Sequence, residues 1–249
     1  MVIQTLDWST NENVCGKQDI ESKRQVKLLS SKHMQKPRAN KVMSQSFLVD
    51  PRIASKIVSK SLITKNDLVL EVGPGVGKLT HPILKTGASL VAIEKDARFI
   101  PLLSKNFKSE VQSGQFILKN GDILDYLRSE ELFDELIDPK STYHVVANLP
   151  FAITGQLLRL FLTAKHQPSS LTLIIQDEVA KRISSHDAKE SLLSLSVQAF
   201  GTPCYEMPIS RNQFKPKPKV NAALIRIDGI SRDFFEKLAK RMGDFNSGP

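Results

Sequence analysis

Leu68-Val69-Leu70-Glu71-Val72-Gly73-Pro74-Gly75-Val76-Gly77-Lys78-Leu79-Thr80 is the stretch on which the fold turns. A strand-like apolar run feeds a turn with glycine at alternate positions, and a helix-like pattern follows. Three positions without a Cβ let the backbone bend sharply and come within contact distance of a ligand. Spacing then separates the nucleotide loops that share this look. A phosphate-cradling loop needs glycine five places before the Gly-Lys pair and a hydroxyl just after it, but Val72 and Leu79 hold those places. A dinucleotide fingerprint begun at Gly73 would put its third glycine at position 78, which is Lys78. What remains is acid-x-Gly-x-Gly-x-Gly, Glu71 to Gly77, a turn for a nucleotide that is not rich in phosphate. Taken alone, the stretch also reads as an ordinary strand-to-helix turn.

Outward from this turn, strand-like and helix-like runs alternate. Pro51 opens a helix with Ile53, Ile57, Val58 and Leu62 on one face. Leu90 to Ile93 is a strand ending at Glu94, and Ala97 to Asn106 a helix with Pro101 in its first turn or at a bend. Phe116-Ile117-Leu118 leads to Gly121-Asp122, and Tyr143 to Ala147 leads to Asn148-Leu149-Pro150-Phe151. Leu171 to Ile175 is a β-branched run, followed by a helix from Glu178 to Ile183, and the pair Leu193–Phe200 and Val220–Ile227 reads as closing strands. This alternation predicts an α/β, Rossmann-like, mostly parallel sheet with helices on both faces. In such a sheet the ligand lies across the carboxyl ends of the strands, which hold Gly73 to Gly77, Glu94, Asp122 and Asn148 to Phe151.

The chain has 249 residues, 41% of them hydrophobic, enough for one sizeable domain with an appendage. It contains no apolar run of membrane-spanning length and no signal-peptide pattern, so a soluble protein is expected. Cys15 and Cys204 are far apart and suggest neither a disulfide framework nor a zinc site, and no metal is expected. Residues 1–22 carry Asp7, Glu12, Asp19 and Glu21 against the single base Lys17, unlike an Arg-rich mitochondrial presequence. The expected compartment is the cytoplasm, with the mitochondrion as alternative. The net charge of +9 is local: seven bases and no acid lie between Ser22 and Val49, and Arg211, Lys215, Lys217 and Lys219 form a second patch. These eleven exceed the net charge, so the rest of the chain is slightly acidic. Such patches suit a surface that follows a phosphate backbone.

Glu94 stands 21 positions after Gly73, close to the spacing at which a carboxylate accepts from both hydroxyls of a ribose. Asp122, at the next strand end, is placed to accept from an adenine amino group. Asn148-Leu149-Pro150-Phe151 is the more specific stretch. The Asn carbonyl and a backbone carbonyl, at Leu149 or Pro150, can take the hydrogens of an exocyclic amine and aim its lone pair, and such positioning is most of the catalysis in methyl transfer to an amine. Pro150 stiffens the backbone and Phe151 offers a face on which a base can stack.

Taken in order, Gln45-Ser46-Phe47-Leu48, Glu71 to Thr80, Glu94-Lys95-Asp96, Gly121-Asp122, Asn148 to Phe151, Gln176 to Arg182 and Phe214-Lys215-Pro216-Lys217-Pro218-Lys219-Val220 resemble the small-subunit rRNA adenine dimethyltransferases, relatives of the Erm methylases. The glycine turn is similar to the first motif of class I S-adenosylmethionine (SAM) methyltransferases. The resemblance covers about 42–228 as the SAM-dependent domain, with 1–41 as a basic extension and 229–249 as what remains of a small C-terminal helical domain. It implies SAM as cofactor, contacted by Ser46, Leu48, Glu71, Gly73, Gly75, Glu94, Asp122 and Asn148. Asn148, Pro150 and Phe151 would be catalytic, with Phe214, Lys215, Lys217 and Lys219 on the RNA. The implied partner is small-subunit rRNA within an immature small ribosomal subunit, met by a monomer with no membrane involved. The implied reaction is dimethylation of two adjacent adenines in a hairpin near the 3′ end of that RNA. An Erm-type large-subunit methylase and a non-catalytic assembly or transcription factor of the same fold are the alternatives. The family's usual Gln-Asn-Phe-Leu is replaced here at Ser46, which shortens the polar contact on that side of the pocket.

Overall fold

The computed structural model describes residues 46–184 and 192–235. The first basic patch and the expected extension 1–41 lie outside the described residues, as does most of the C-terminal appendage. In chain order the elements are β1 (Phe47–Leu48), α1 (Pro51–Lys60), β2 (Leu68–Val72), α2 (Thr80–Lys85), β3 (Ser89–Glu94), α3 (Ile100–Asn106), α4 (Lys108–Gln112), β4 (Phe116–Asn120), α5 (Ile123–Arg128), α6 (Glu130–Asp134), β5 (His144–Asn148), α7 (Thr154–Thr163), β6 (Ser170–Gln176), α8 (Asp177–Ser184), α9 (Leu192–Phe200), β7 (Thr202–Ile209), β8 (Phe214–Lys215) and β9 (Ala222–Asp228). Short 3-10 turns precede α3 (Ala97–Phe99), α7 (Phe151–Ile153) and β8 (Arg211–Gln213).

Seven strands form one sheet in the order β4-β3-β2-β5-β6-β9-β7, parallel from β4 to β6 and antiparallel at β9 and β7. β1 and β8 make a separate two-stranded antiparallel pair. Alternation along the strands feeds two cores. Leu70, Val91, Val145 and Leu173 pack on one face with Ile123, Leu157 and Phe161, whereas Val69, Leu90, Val146 and Ile174 pack on the other with Ile57, Ile83 and Phe99. Helices therefore cover both faces, as strands buried on both sides require.

Local chemistry fixes the element starts. The Asp50 carboxylate accepts from the Arg52 N–H at 2.9 Å ahead of Pro51, and Asp96 accepts from the Arg98 N–H at 3.1 Å, each satisfying a donor at the head of a helical turn. Pro101 sits in the first turn of α3, where its missing N–H costs no ladder bond. Two expectations are corrected. Leu62 lies beyond the end of α1, exposed and with φ +59°, so the apolar face of that helix stops at Val58. The run Leu193 to Phe200 is helical: Ser194 and Val197, three apart, are its buried pair. The closing strand next to β9 is instead Thr202–Ile209, whose Pro203 and Pro208 are tolerated because it is the sheet edge.

Candidate active site

Strand parity assembles the site. Glu71 shares the parity of Val69, Glu94 that of Leu90, and Asn148 that of Val146, so all three belong to the face of the second core. Leu48 and Phe214 are members of that core, and Phe47 and Phe151 pack against it.

The glycine turn is held from three sides. Gly73 has φ +68° and is exposed, and a Cβ built there would meet nothing within 4 Å. The turn thus leaves open space where a ligand approaches the strand ends. Gly75 has φ +56°, and a Cβ on it would lie 2.6 Å from Cε1 of Phe47, a ring that also meets Phe99 edge-on at 5.4 Å. The Gly75 N–H donates to Glu94 Oε2 at 2.8 Å while the Asp96 N–H donates to Oε1 at 2.8 Å. Glu94 is buried, which raises its carboxyl pKa, and the two backbone donors oppose that rise. The Lys95 N–H also bears on this carboxylate, and of the roughly four lone-pair sites of its two oxygens at least one is left for a further donor. Glu71 is buried beneath the turn and accepts from the Thr80 hydroxyl at 2.7 Å. Burial, with the nearby Glu94 charge adding to it, pushes its pKa up to about 8 against the opposing Thr80 bond. Glu71, expected among the cofactor contacts, braces the turn from beneath through this bond. Asp122 caps α5 through the Leu124 N–H at 3.0 Å and pairs with Lys95 at 2.6 Å. Partial burial would raise its pKa, but the Lys95 and Leu124 bonds outweigh it and hold the carboxyl below its usual range.

The Asn148 Nδ2 donates to the main-chain carbonyl of Ser46 at 2.8 Å. A carbonyl can only accept, so this bond settles which way the amide faces and directs Oδ1 elsewhere. Ser46 thus meets Asn148 through its backbone, a role that its side chain gave no means of reading. Of the two backbone carbonyls left open by the sequence, that of Pro150 already accepts from the Ile153 N–H at 3.1 Å and from the Thr154 hydroxyl at 3.4 Å. The Leu149 carbonyl has no such partner among the described residues, and it follows Asn148 directly. Phe151 is half-buried at the start of its 3-10 turn.

The second basic segment joins the site through β1–β8, where Phe47 faces Lys215 and Leu48 faces Phe214. The Val49 N–H extends the pair by donating to Gln213 O at 2.8 Å. Phe214, expected on the RNA, is a residue 5% exposed that belongs to the second core. Pairing with buried Leu48 turns it inward. Lys215, Lys217 and Lys219 are exposed and form the cationic edge without it. Sequence reasoning missed Phe47, Thr80 and Lys95 as supports of the turn and the carboxylates; the nine-residue interval from Glu71 to Thr80 spans the turn they brace.

These residues fit SAM: the open space at Gly73 and the remaining acceptor sites of Glu94 suit a nucleoside without phosphates. The fold and this constellation define a class I SAM-dependent methyltransferase. The chain belongs to the ribosomal RNA adenine dimethylase family, whose model matches residues 36–242, and is a SAM-dependent rRNA adenine N6,N6-dimethyltransferase. It is 35% identical over 211 residues to ribosomal RNA small subunit methyltransferase A of Dehalococcoides mccartyi (strain CBDB1), covering 82% of this chain and 70% of that protein. To the protein of the same name from Caulobacter vibrioides it is 39% identical over 192 residues, covering 76% and 70%. Among solved structures, a dimethyladenosine transferase from Plasmodium falciparum is similar with TM-score 0.63 and 25% identity over 76% of this chain and 65% of that one. The 23S rRNA methyltransferase ErmE shares the fold with TM-score 0.63 and 23% identity over 74% and 70%.

Proposed function

We propose that this chain dimethylates the exocyclic amines of two adjacent adenines in a hairpin loop near the 3′ end of small-subunit rRNA. The observation that carries the reading is the fixed Asn148 amide, whose Oδ1 is left to accept next to the Leu149 carbonyl, which has no partner among the described residues. Two acceptors there suit the two hydrogens of an adenine amino group. Drawing both aside turns the nitrogen lone pair out of the ring plane, toward the position a methyl donor must occupy. Phe151 supports the base by stacking, worth about 1–3 kcal/mol. When bound, SAM supplies an electrophilic sulfonium methyl. Glu94 would hold its ribose, the Gly73 turn would approach it closely, Leu48 would add apolar contact, and Asp122 would accept from its adenine. No general base is needed, because a methylated amine gives up its proton readily to water. The target adenine must leave its stack, at a cost of a few kcal/mol that is least in a loop.

The small-subunit target rests on the names of the curated relatives at 35% and 39% identity. We further propose that the substrate is an immature small subunit, met in the cytoplasm by a single copy of the chain, with Lys215, Lys217 and Lys219 on the RNA. No helix among the described residues is long and apolar enough to cross a membrane. Replacing Asn148 by Ala is expected to abolish transfer of label from SAM while leaving affinity for the RNA within about twofold, since phosphate contacts dominate that affinity. An Asn148→Ala chain that still methylates would remove this residue from the role given to it.

A further inference from the structure

Eight arginines lie among the described residues. Six of them are engaged: Arg52, Arg98, Arg182 and Arg226 with carboxylates, Arg211 and Arg232 with main-chain carbonyls. The two that make no hydrogen bond or ion pair among the described residues, Arg128 and Arg159, line one cavity of about 480 Å³ together with Gly155, Gln156 and Leu160. Both are exposed, and a Cβ built on Gly155 would meet nothing within 4 Å, so that wall of the cavity is open to a ligand.

Position gives the cavity a meaning. Arg128 ends α5, the helix that Asp122 caps. The other lining residues are in α7, which begins directly after the Phe151–Ile153 turn. At a rise of ~1.5 Å per residue, Arg159 stands roughly 7.5 Å along the axis from Thr154. Residues of α5 and α7 pack on the first core, whereas β1 and β8 belong to the second. The catalytic loop joins the two, with Leu149 in the first core and Phe151 against the second. An RNA strand whose adenine enters at Asn148 would therefore leave toward the lysine edge on one side and toward the two arginines on the other.

We propose that the cavity between α5 and α7 binds the phosphodiester backbone flanking the target adenines, one phosphate to each guanidinium. This rests on the rRNA methyltransferase reading above. A guanidinium presents a planar fork of donors that matches two phosphate oxygens, and one held in no hydrogen bond or close ion pair among the described residues keeps that fork for such a partner, the Asp122 carboxylate acting on Arg128 only as a nearby charge. Gln156 adds neutral donors, and Gly155 keeps the wall free of a side chain.

The test compares the full chain with its R128Q/R159Q variant on a synthetic hairpin RNA that carries two adjacent loop adenines, across a salt series, with SAM affinity and melting temperature measured in parallel. Melting temperature is expected to stay unchanged, because both side chains are on the surface, and SAM affinity to change little, because Lys95 rather than Arg128 makes the direct bond to Asp122. RNA affinity is expected to fall about tenfold at low salt, and the slope of log K against log salt to flatten by about 1.4, two single-strand phosphate contacts at about 0.7 each. R128K/R159K is expected to recover the slope, since the charges return without the fork. A glutamine variant with the wild-type slope and RNA affinity would overturn the groove and leave the methyltransferase reading standing. A wild-type chain that methylates no adenine in immature small subunits, assayed alongside, would overturn both. Weaker binding to whole small subunits with unchanged binding to the bare hairpin would assign the arginines to a protein surface and overturn this proposal too.

Discussion

Glu71 and Gly75 show how much of a cofactor turn is spent on holding itself together. Glu71 has its pKa pushed up to about 8 by burial, so at neutral pH the folded chain holds a proton there that the unfolded chain has released. Stability contributed by that proton is full below the ordinary value of 4.5 and is lost as pH rises toward about 8. Denaturant melts are expected to show stability falling across that window in the wild type, with a flatter profile in Glu71→Gln, whose amide oxygen can still accept from Thr80. Equal slopes for the two proteins would contradict the buried neutral carboxyl. Gly75→Ala combines a left-handed φ of +56° with a Cβ 2.6 Å from the Phe47 ring. The left-handed conformation alone costs about 1–2 kcal/mol, and displacing Phe47 loosens the turn from Glu94. Calorimetry is expected to show weakened SAM binding along with the lower melting temperature, and wild-type affinity would contradict the placement of the turn against the cofactor.

At the scale of elements, the β1–β8 pair ties the side proposed for the cofactor to the side proposed for the RNA: Leu48 and Phe214 are opposite one another, and the next residue, Lys215, is exposed. Exposed lysines that only follow a phosphate backbone can be removed without touching the pocket. Lys215→Gln, Lys217→Gln and Lys219→Gln together are expected to flatten the salt dependence of RNA binding by about 2 in slope, at about 0.7 per contact, with SAM affinity unchanged in calorimetry. An altered SAM affinity with an unaltered salt slope would reverse that assignment. This pairing also settles a position that residue type left open between an exposed lip and the core. Phe214 opens a run of alternating lysines and prolines, a context typical of an exposed lip, yet a strand partner far away in the chain decides which way its ring points. The same holds at α9, where Leu193-Ser194-Leu195-Ser196-Val197 alternates like a strand while packing selects the helical spacing of Ser194 and Val197.

For the whole molecule, the features legible in the sequence are those set by local pattern. The β2 turn, the carboxylate after β3 and the Asn-Leu-Pro-Phe loop after β5 each follow a strand-like run, and a parallel sheet brings such ends to one edge. The illegible ones are contacts between distant main-chain groups: the bond from Asn148 to the carbonyl of Ser46 spans 102 positions and leaves no trace in residue type. Membership in the rRNA adenine dimethylase family and this edge agree on one chemistry. Incubation of the full chain with radiolabelled SAM and immature small subunits, followed by nucleoside analysis of the separated RNAs, tests it most directly. Labelled N6,N6-dimethyladenosine confined to small-subunit RNA is the expected result, and its absence from that RNA, with label in large-subunit RNA or none at all, would contradict it.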